Sequence, residues 1–399
     1  MSLPLAGVAV LDFGQGVAGP YCGQLLADQG AAVIKVEPPR GDWAREMGAR
    51  DARGLSGTFA SVNRNKRGLC LDMKQAEARA VARRLALQSD VVLESFRPGV
   101  MERLGLGCDD LRRENPRLVY CAVTGFGESG PNVGLPAGDS TMQAYGGLMS
   151  IVGERDGAPL RVGNVVSDML AGMNAYSGVL LALLRRTATC EGARIGVSLL
   201  DSLVAFQAPP LTEYLLTGEL PRRQGNEHPL IAPSGAVRTR DGHIVYTVLD
   251  HQWQRFCDGL GLAAVAADAR FATSAARQKN RADLAETLSP AFLARSSAEW
   301  LVHLRALDIL CSPINDYAAL REDAQVRHNG LIGSAGGVPS IRNPVRLGGE
   351  AAHPPHIPHI PHRAPPACGE HTRDILAAEL RMTSADIERL VALGAALSL

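Results

Sequence analysis

The first 130 residues alternate between short apolar segments and segments in which apolar residues recur at helical spacing. The segments of strand length are 5–12 (LAGVAVLD), 32–37 (AVIKVE), 69–73 (LCLDM), 90–96 (DVVLESF) and 118–127 (LVYCAVTGFG). Helical patterns occupy residues 20–30, which begin at Pro20, and residues 75–89. Strands that alternate with helices form a parallel sheet covered by helices on both faces. This pattern predicts an α/β fold with a Rossmann-like large domain.

Residues 193–208 are typical of a strand that runs into a helix, and they end the predicted large domain. A smaller α+β domain is predicted further along the chain, where a hairpin is expected with Asp241 and Gly242 at its turn. In chain order we predict a large Rossmann-like domain (1–208), a turn-rich linker (209–230), a small α+β domain (231–325), and a return linker with C-terminal helices that completes the large domain (326–399).

The composition excludes several classes of protein. The 399 residues are 46% hydrophobic and 21% charged, with a formal net charge of +0. A chain without excess positive charge does not favour nucleic acid or an acidic membrane as a partner. No apolar run approaches the roughly 20 residues of a membrane span, and the N-terminus resembles a strand rather than a signal peptide. The eight cysteines include no CxxC pair, so we expect free thiols and a cytoplasmic protein.

Lysine and histidine are unevenly distributed. The only lysines are Lys35, Lys66, Lys74 and Lys279, and the other basic residues are arginines. One interpretation is that a flexible ammonium is kept where it contacts phosphate; the other is chance in an arginine-rich sequence. All ten histidines lie at or beyond His228, so the first 227 residues cannot use imidazole chemistry.

The segment from His353 to His362 places a histidine at every third position, interleaved with prolines. This period matches polyproline II, in which such histidines lie about 9 Å apart, too far to share one metal ion. We therefore expect a solvated proline-rich linker and no metal site.

A glycine pattern after the first strand suggests a dinucleotide-binding enzyme. Gly14, Gly16 and Gly19 form GxGxxG before a helix, and Glu37 ends the next strand, where an acid would bind a ribose. An NAD-dependent oxidoreductase is therefore one alternative. Pro20 directly after the third glycine and a cation close behind Glu37 are unusual for that fingerprint. The same turn can hold the phosphates of another adenine nucleotide.

Asp168 is the strongest candidate for a catalytic residue. It lies where the strand-like RVGNVV gives way to a helix rich in Ala, Gly and Ser. Small side chains allow close approach, and the helix dipole is expected to keep the carboxylate ionised, which suits a nucleophile. The alternative is an ordinary helix N-cap.

Several blocks in order resemble family III CoA-transferases (CaiB/BaiF type), the group that includes formyl-CoA transferase and carnitine CoA-transferase and whose superfamily includes α-methylacyl-CoA racemases. The blocks are LAGVAVLDFGQGVAGPYCGQLLADQGAAVIKVEPPRGD, NRNKRGLCLDMK, DVVLESFRPGVMERLGLG, NPRLVYCAVTGFGESGP, GDSTMQAYGGLMSIVG, VSDMLAGMNAYSGVLLALLRR and GEHT. They span nearly the whole chain. The ordered set is specific, although no single block is.

The resemblance implies an acyl-CoA substrate, a carboxylic acid acceptor, and a homodimer whose two chains interlock like links. It also implies that Asp168 is the nucleophile and passes through an acyl-aspartyl anhydride and an aspartyl-CoA thioester. The energy of the thioester is conserved in such an exchange, so no ATP, metal or tightly bound cofactor is needed. Asp139 and Gln143 are expected beside Asp168, with a capping or turn role as the alternative.

The resemblance also yields candidate contacts to coenzyme A. Basic side chains suit its phosphates, and apolar side chains suit its adenine. The phosphate candidates are Arg40, Lys74, Arg97 and Arg103; the adenine candidates are Leu71, Met73 and Phe96; further CoA contacts are expected from Val17, Ala18 and Ser95. Each of these side chains is alternatively a surface ion-pair partner or part of the core.

Two departures narrow the expected activity. Members that act on formyl and oxalyl groups have Gln where this chain has Val17, which disfavours formyl-CoA:oxalate transfer. Racemases have a His directly before the acid of the GDST-like block, where this chain has Gly138. A racemase or epimerase remains an alternative, as does a non-enzymatic CoA-binding protein. Arg161, Arg222 and Arg223 are candidates to receive a second carboxylate, so we expect succinyl-CoA or a similar dicarboxylyl-CoA as donor.

Overall fold

The computed structural model describes residues 3–345 and 362–398. These residues cluster into two compact units. The large unit contains 3–148, 162–218, 324–345 and 362–398, and the small unit contains 149–161 and 219–323. The predicted proline-rich linker lies outside the described residues, apart from His362.

The strands follow the predicted apolar segments closely in the first half of the chain. In order they are β1 (Ala9–Asp12), β2 (Ala32–Glu37), β3 (Arg67–Leu71), β4 (Val91–Glu94), β5 (Val119–Thr124), β6 (Arg194–Ser198), β7 (Ser234–Arg238), β8 (His243–Thr247), β9 (Leu310–Pro313), β10 (Ile332–Ala335), β11 (Val338–Ile341) and β12 (Ala396–Leu397).

Helices connect the strands of the large unit. The helices before residue 219, of which α7 lies mostly in the small unit, are α1 (Ala18–Asp28), α2 (Gly57–Ser61), α3 (Ala76–Gln88), α4 (Val100–Arg103), α5 (Cys108–Glu114), α6 (Asp139–Tyr145), α7 (Leu148–Ile151), α8 (Val166–Thr189), α9 (Leu199–Phe206) and α10 (Ala208–Thr217). Further along are α11 (Trp253–Gly259), α12 (Ala263–Ala266), α13 (Ser274–Lys279), α14 (Arg281–Phe292), α15 (Ser297–Ala306), α16 (Tyr317–Glu322), α17 (Ala324–Asn329), α18 (Thr372–Leu380) and α19 (Ser384–Ala392), with 3-10 turns at Trp43–Glu46 and Asp250–Gln252.

The large unit is built on one seven-stranded sheet in the order β12-β3-β2-β1-β4-β5-β6. The first six strands in the chain run parallel, and β12 pairs antiparallel with β3 at the edge. This is the Rossmann-like α/β arrangement that the alternating pattern predicts. The strand order reverses between β1 and β4, and ligands of such sheets bind at the carboxyl ends of the strands at that point.

Two segments differ from the sequence prediction. The turn-rich linker predicted at 209–230 begins with α10, because Pro209 and Pro210 occupy the first turn of that helix, where proline is favoured, and Gly218 ends it in the left-handed region. The strand-like segment before Asp168 forms no strand, and its backbone leads directly into α8.

Helix α8 is long and apolar enough to cross a membrane by length and composition. The sequence analysis expected no such segment. The helix packs one face against α1, α9 and the β5–β6 edge of the sheet, whereas Leu181 and Leu184 are exposed. It is the element that carries Asp168.

The small unit has its own sheet and core. Strands β7, β8 and β9 pair antiparallel, and β7 and β8 form the predicted hairpin around Asp241 and Gly242. Its core is aromatic, with Phe256, Phe292 and Trp300 almost fully buried.

Candidate active site

The glycine turn between β1 and α1 lies at the point where the strand order reverses. Gly16 has a φ of +78°, and a Cβ there would lie 2.1 Å from Cζ2 of Trp43, so only glycine fits. The backbone N–H of Gly16 donates to Asp42 Oδ1 at 2.9 Å, and that of Gln15 donates to Ser95 Oγ at 2.9 Å. Ser95 follows β4, so this contact joins the two strands at which the order reverses.

Two buried lysines hold the turn from beneath. Lys66 Nζ donates to Asp12 Oδ2 at 2.8 Å and also to the carbonyl of Pro20 and to Asn63. Lys35 Nζ lies 2.8 Å from Asp42 Oδ2 and donates to the carbonyl of Gly14. Both ammonium groups are fully buried. The interpretation that Lys35 and Lys66 contact phosphate is therefore wrong, because their ammonium groups already donate hydrogen bonds to acceptors inside the fold.

Glu37 does not offer a ribose-binding carboxylate. Both of its oxygens accept from Arg45, each at 2.7 Å, and one also accepts from the backbone N–H of Asp42 at 2.8 Å. The side chain is fully buried. The glycine pattern therefore predicts the turn correctly, but the chain does not provide at Glu37 the free acid that an NAD-dependent enzyme requires.

Asp168 lies in the first turn of α8, but it does not cap the helix. The N-cap position belongs to Val165, without a side-chain hydrogen bond. No residue that the structure describes donates a hydrogen bond to the Asp168 carboxylate. Burial, and then the nearby carboxylate of Asp139, raise the pKa of Asp168 to about 7. Burial and the like charge of Asp139 therefore act against the ionised form that the helix dipole was expected to favour.

The face of α8 that carries Asp168 packs on the start of α1. Gly172 lies one turn beyond Asp168 and therefore on the same face. A Cβ on Gly172 would lie 2.7 Å from the carbonyl of Ala18 and 3.0 Å from Tyr21. This close approach brings Val17 and Ala18 to the same region of the large unit as Asp168. Both residues are buried.

Asp139 and Gln143 hold the segment that leads into α8. Asp139 Oδ1 accepts from the backbone N–H and the hydroxyl of Ser167, both at 2.9 Å, and Oδ2 accepts from Gln143 Nε2 at 2.8 Å. Gln143 also accepts from Val162 N at 2.8 Å and donates to the carbonyl of Asn164 at 3.1 Å. Both side chains are therefore hydrogen-bonded to residues directly before Asp168.

The candidate phosphate ligands are all exposed: Arg40, Lys74, Arg97 and Arg103. Arg97 borders a polar cleft of about 180 Å³ whose walls include Glu94, Tyr120 and Arg194. The position of these cations at the surface leaves them accessible to an anionic ligand.

The candidate adenine contacts differ in exposure. Met73 and Phe96 are partly buried and pack against the core cluster, whereas Leu71 has no exposed surface. Ser95 is partly exposed, and its hydroxyl bonds the backbone of Gln15. Leu71 therefore lies in the core, the alternative left open for these residues, and offers no surface on which an adenine would stack.

The sequence analysis missed two residues next to Asp168 and one that borders the cleft beside Arg97. Ser167 and Gly172 were overlooked, although they flank Asp168 by one and four positions. Glu94 is 7% exposed, accepts from the N–H of Phe96 at 2.7 Å, and burial raises its pKa to about 8. Its position at the end of a buried strand was the only sequence signal.

The arginines expected to bind a second carboxylate belong to the small unit. Arg223 donates to the carbonyls of Glu154 at 3.3 Å and Gly157 at 2.7 Å, so its guanidinium is at least partly used within its own unit. Arg161 and Arg222 are exposed.

Comparison with known proteins gives consistent matches over almost the whole chain. The family model described as CoA-transferase family III matches residues 5–372. A succinate–glutarate CoA-transferase from Agrobacterium fabrum is 35% identical over 387 residues, covering 94% of this chain and 95% of that protein. A succinyl-CoA:glutarate CoA-transferase from Mus musculus is 34% identical, covering 98% and 90%. A solved CAIB/BAIF family protein from Brucella suis has a TM-score of 0.85 at 34% identity, covering 94% and 99%.

Proposed function

The chain belongs to CoA-transferase family III and is a CoA-transferase, and on that premise we propose that it moves CoA from succinyl-CoA or a similar dicarboxylyl-CoA to a carboxylic acid through covalent adducts on Asp168. One observation carries this proposal. Asp168 is a largely buried carboxylate to which no described residue donates a hydrogen bond, and it lies on the face of α8 that meets the start of α1. A carboxylate without donors keeps its oxygens available for attack.

In the first half of the reaction, an oxygen of ionised Asp168 attacks the carbonyl carbon of the thioester. The carbon–sulfur bond breaks, CoA leaves as its thiolate, and an acyl-aspartyl anhydride remains. The thiolate then attacks the aspartyl carbonyl of the anhydride. This step releases the donor as its free acid and leaves an aspartyl-CoA thioester.

The second half reverses these steps with the acceptor. The acceptor carboxylate attacks the aspartyl thioester and forms a new anhydride, and the thiolate attacks the acceptor acyl carbon. The products are the new acyl-CoA and the free Asp168 carboxylate. Each step exchanges one activated acyl group for another, so the chemistry requires neither ATP nor a metal ion.

Backbone N–H groups at the start of α1 are suited to stabilise the oxyanions of these steps. The first N–H groups of a helix have no intrahelical acceptor, and the positive end of the helix dipole favours negative charge. Ala18 and Gly19 are the first two residues of α1. We propose that their N–H groups supply the oxyanion site, which the sequence alone did not locate.

Asp139 and Gln143 act in this proposal as positioning residues. Their hydrogen bonds end on Ser167, Val162 and Asn164, which fix the backbone directly before Asp168. The charge of Asp139 also raises the pKa of Asp168. Neither side chain needs to touch the substrate to influence the nucleophile.

The names of the relatives support a dicarboxylic substrate. Proteins 34–35% identical to this chain are named for succinate, succinyl-CoA and glutarate. The expectation that Arg161, Arg222 and Arg223 receive the second carboxylate of such acyl groups stays a prediction from the sequence. Transfer of CoA only between monocarboxylates by the purified enzyme would remove the basis for this part of the proposal.

We also propose that the protein is a homodimer whose chains interlock. Helix α10 has no buried residue, and it exposes Leu215 and Leu216 by 72% and 81%. Apolar faces of this kind are usually covered by a partner. Light scattering should give the mass of a dimer. Interlocked subunits of tagged and untagged protein should form mixed dimers only after unfolding and refolding together.

The covalent intermediate provides the decisive test. The protein is incubated with succinyl-CoA or acetyl-CoA, trapped with hydroxylamine or borohydride, and measured as intact denatured chains and as peptides. We expect an adduct or a reduction product on Asp168 that is absent in Asp168→Ala.

A cytoplasmic location agrees with the use of acyl-CoA donors and with the absence of a disulfide among the described residues.

Two alternatives predict other outcomes of this test. A racemase would give no adduct but would exchange the α-proton of an acyl-CoA with solvent deuterium. Gly138 occupies the position of the racemase histidine and so does not favour this alternative. A binding protein would bind CoA without either reaction. It would be favoured by an ion pair on Asp168, and none is present among the described residues.

A further inference from the structure

Two cysteines lie together where the C-terminal segment crosses the sheet edge. Cys70 is in β3 and is 1% exposed, whereas Cys368 precedes α18 and is partly exposed. Their thiol groups lie close enough for each to shift the pKa of the other. The Cys368 thiol also lies 3.8 Å from the carbonyl of Pro38.

The backbone around the two thiols is fixed by hydrogen bonds. The N–H of His371 donates to the carbonyl of Gly68 at 2.9 Å, and the N–H of Cys70 donates to Thr372 Oγ1 at 3.1 Å. A Cβ on Gly369 would lie 3.2 Å from the Cβ of Cys70. The contact between the cysteines is therefore built into the fold rather than formed by a loose loop.

The two thiols are chemically unequal. The neighbouring thiol of Cys70 lowers the pKa of Cys368, and this effect outweighs burial and the charge of Glu37, which raise it. The same interaction, together with burial, raises the pKa of Cys70. The thiolate therefore forms on Cys368, the more accessible of the two. A reactive cysteine of this kind next to a second thiol is the arrangement of redox-sensitive sites.

We propose that Cys368 and Cys70 form an oxidation site in which peroxide converts the thiol pair into a disulfide. The Cys368 thiolate attacks one oxygen of hydrogen peroxide, the oxygen–oxygen bond breaks, and hydroxide leaves. Cys368 is now a sulfenic acid. The Cys70 sulfur attacks the sulfenic sulfur, a sulfur–sulfur bond forms, and the sulfenic oxygen leaves as water. In total, two thiols and one peroxide give one disulfide and two waters.

The other cysteines of the chain provide the contrast. Cys190 is exposed, whereas Cys22 and Cys121 are fully buried. If accessibility alone decided which cysteine is oxidised first, it would be Cys190. If an adjacent thiol that can form a disulfide decides it, it is Cys368. This site is independent of the proposed acyl transfer, because neither cysteine belongs to the proposed nucleophile or oxyanion groups.

The test treats the fully reduced native protein with hydrogen peroxide, blocks the remaining thiols with N-ethylmaleimide, and maps the peptides by mass spectrometry. We expect a Cys70–Cys368 disulfide that dithiothreitol reverses, and two fewer alkylated thiols per chain. Cys368→Ser should abolish the disulfide, and the matched control Cys190→Ser should leave it unchanged.

Two outcomes would overturn the proposal. One is oxidation of Cys190 at peroxide doses that leave Cys368 reduced. The other is accumulation of sulfinic acid on Cys368 without a disulfide, which would show that Cys70 does not resolve the intermediate. Both are read from the wild-type protein, so the test does not depend on whether a Cys70 variant folds.

Discussion

Replacing Asp168 with asparagine should make the protein more stable and inactive. The pKa of Asp168 rises from 3.8 to about 7 on folding, mainly because of burial and then because of Asp139. Each tenfold change in a protonation equilibrium is worth about 1.4 kcal/mol, so ionising this group costs about 4 kcal/mol more in the folded than in the unfolded chain. The side chain is partly exposed, and screening by solvent reduces this figure to about 1–3 kcal/mol.

The sign of the pH dependence follows from the direction of the shift. The folded chain holds the Asp168 proton more tightly than the unfolded chain, so this contribution to stability is complete below about pH 4 and is lost as the pH rises through about 7. Asparagine cannot ionise, so the variant loses nothing over that range. The free energy of unfolding of Asp168→Asn, relative to wild type, should increase by about 1–2 kcal/mol between pH 5 and pH 8.

Urea unfolding at a fixed protein concentration, at pH 5 and pH 8, measures this difference. Comparing two pH values cancels any constant effect of the amide. Asp156→Asn is the matched control, because it makes the same substitution at an exposed position. A relative stability of Asp168→Asn that stays constant or falls as the pH rises would refute the reasoning. It would mean that Asp168 ionises as easily in the folded chain as in water.

Three further predictions follow from the same contacts. The rate of adduct formation should rise with pH to a plateau, with a midpoint near pH 7, because the carboxylate is the nucleophile. Stopped-flow mixing with acyl-CoA measures this rate. Asp139→Asn should lower the midpoint, because the charge of Asp139 raises the pKa of Asp168. Lys66→Met should lower the free energy of unfolding in urea by about 3–5 kcal/mol, because it leaves Asp12 buried without its partner. Lys74→Met, at an exposed position, should lower it by less than about 0.5 kcal/mol, and equal effects of the two substitutions would contradict this reasoning. Arg97→Ala should raise the KM for acyl-CoA about tenfold or more with kcat unchanged, and less so at high salt; an unchanged KM would remove Arg97 from the CoA site.

The regular elements of the fold were accessible to sequence analysis where the pattern was long enough. Strand β2 has the predicted bounds of 32–37, because a glycine at position 30 and a proline pair at positions 38 and 39 flank it. The first strand begins at Ala9 rather than at residue 5, because Gly7 has a φ of +88° and the chain turns there. Strand β12 has two residues, which are too few to form a periodic pattern.

The candidate site was predicted in part. The position of Asp168 at a helix start could be predicted because it depends on local sequence. Its raised pKa depends on packing against α1 and on Asp139, which no local pattern reveals. The prediction that the lysines contact phosphate was wrong for Lys35 and Lys66 for a related reason. Composition does not distinguish an exposed ammonium group from that of Lys66, which is surrounded by three buried acceptors.

The pairing of β12 with β3 has a consequence for how the chain is made. Ala396 pairs with Leu71, 325 positions earlier in the sequence. During translation, the whole small unit emerges from the ribosome before the edge of β3 is covered. An uncovered strand edge can pair with other chains, so the nascent sheet passes through an aggregation-prone interval. Its duration is set by synthesis of the chain between these strands rather than by the folding rate of the sheet itself.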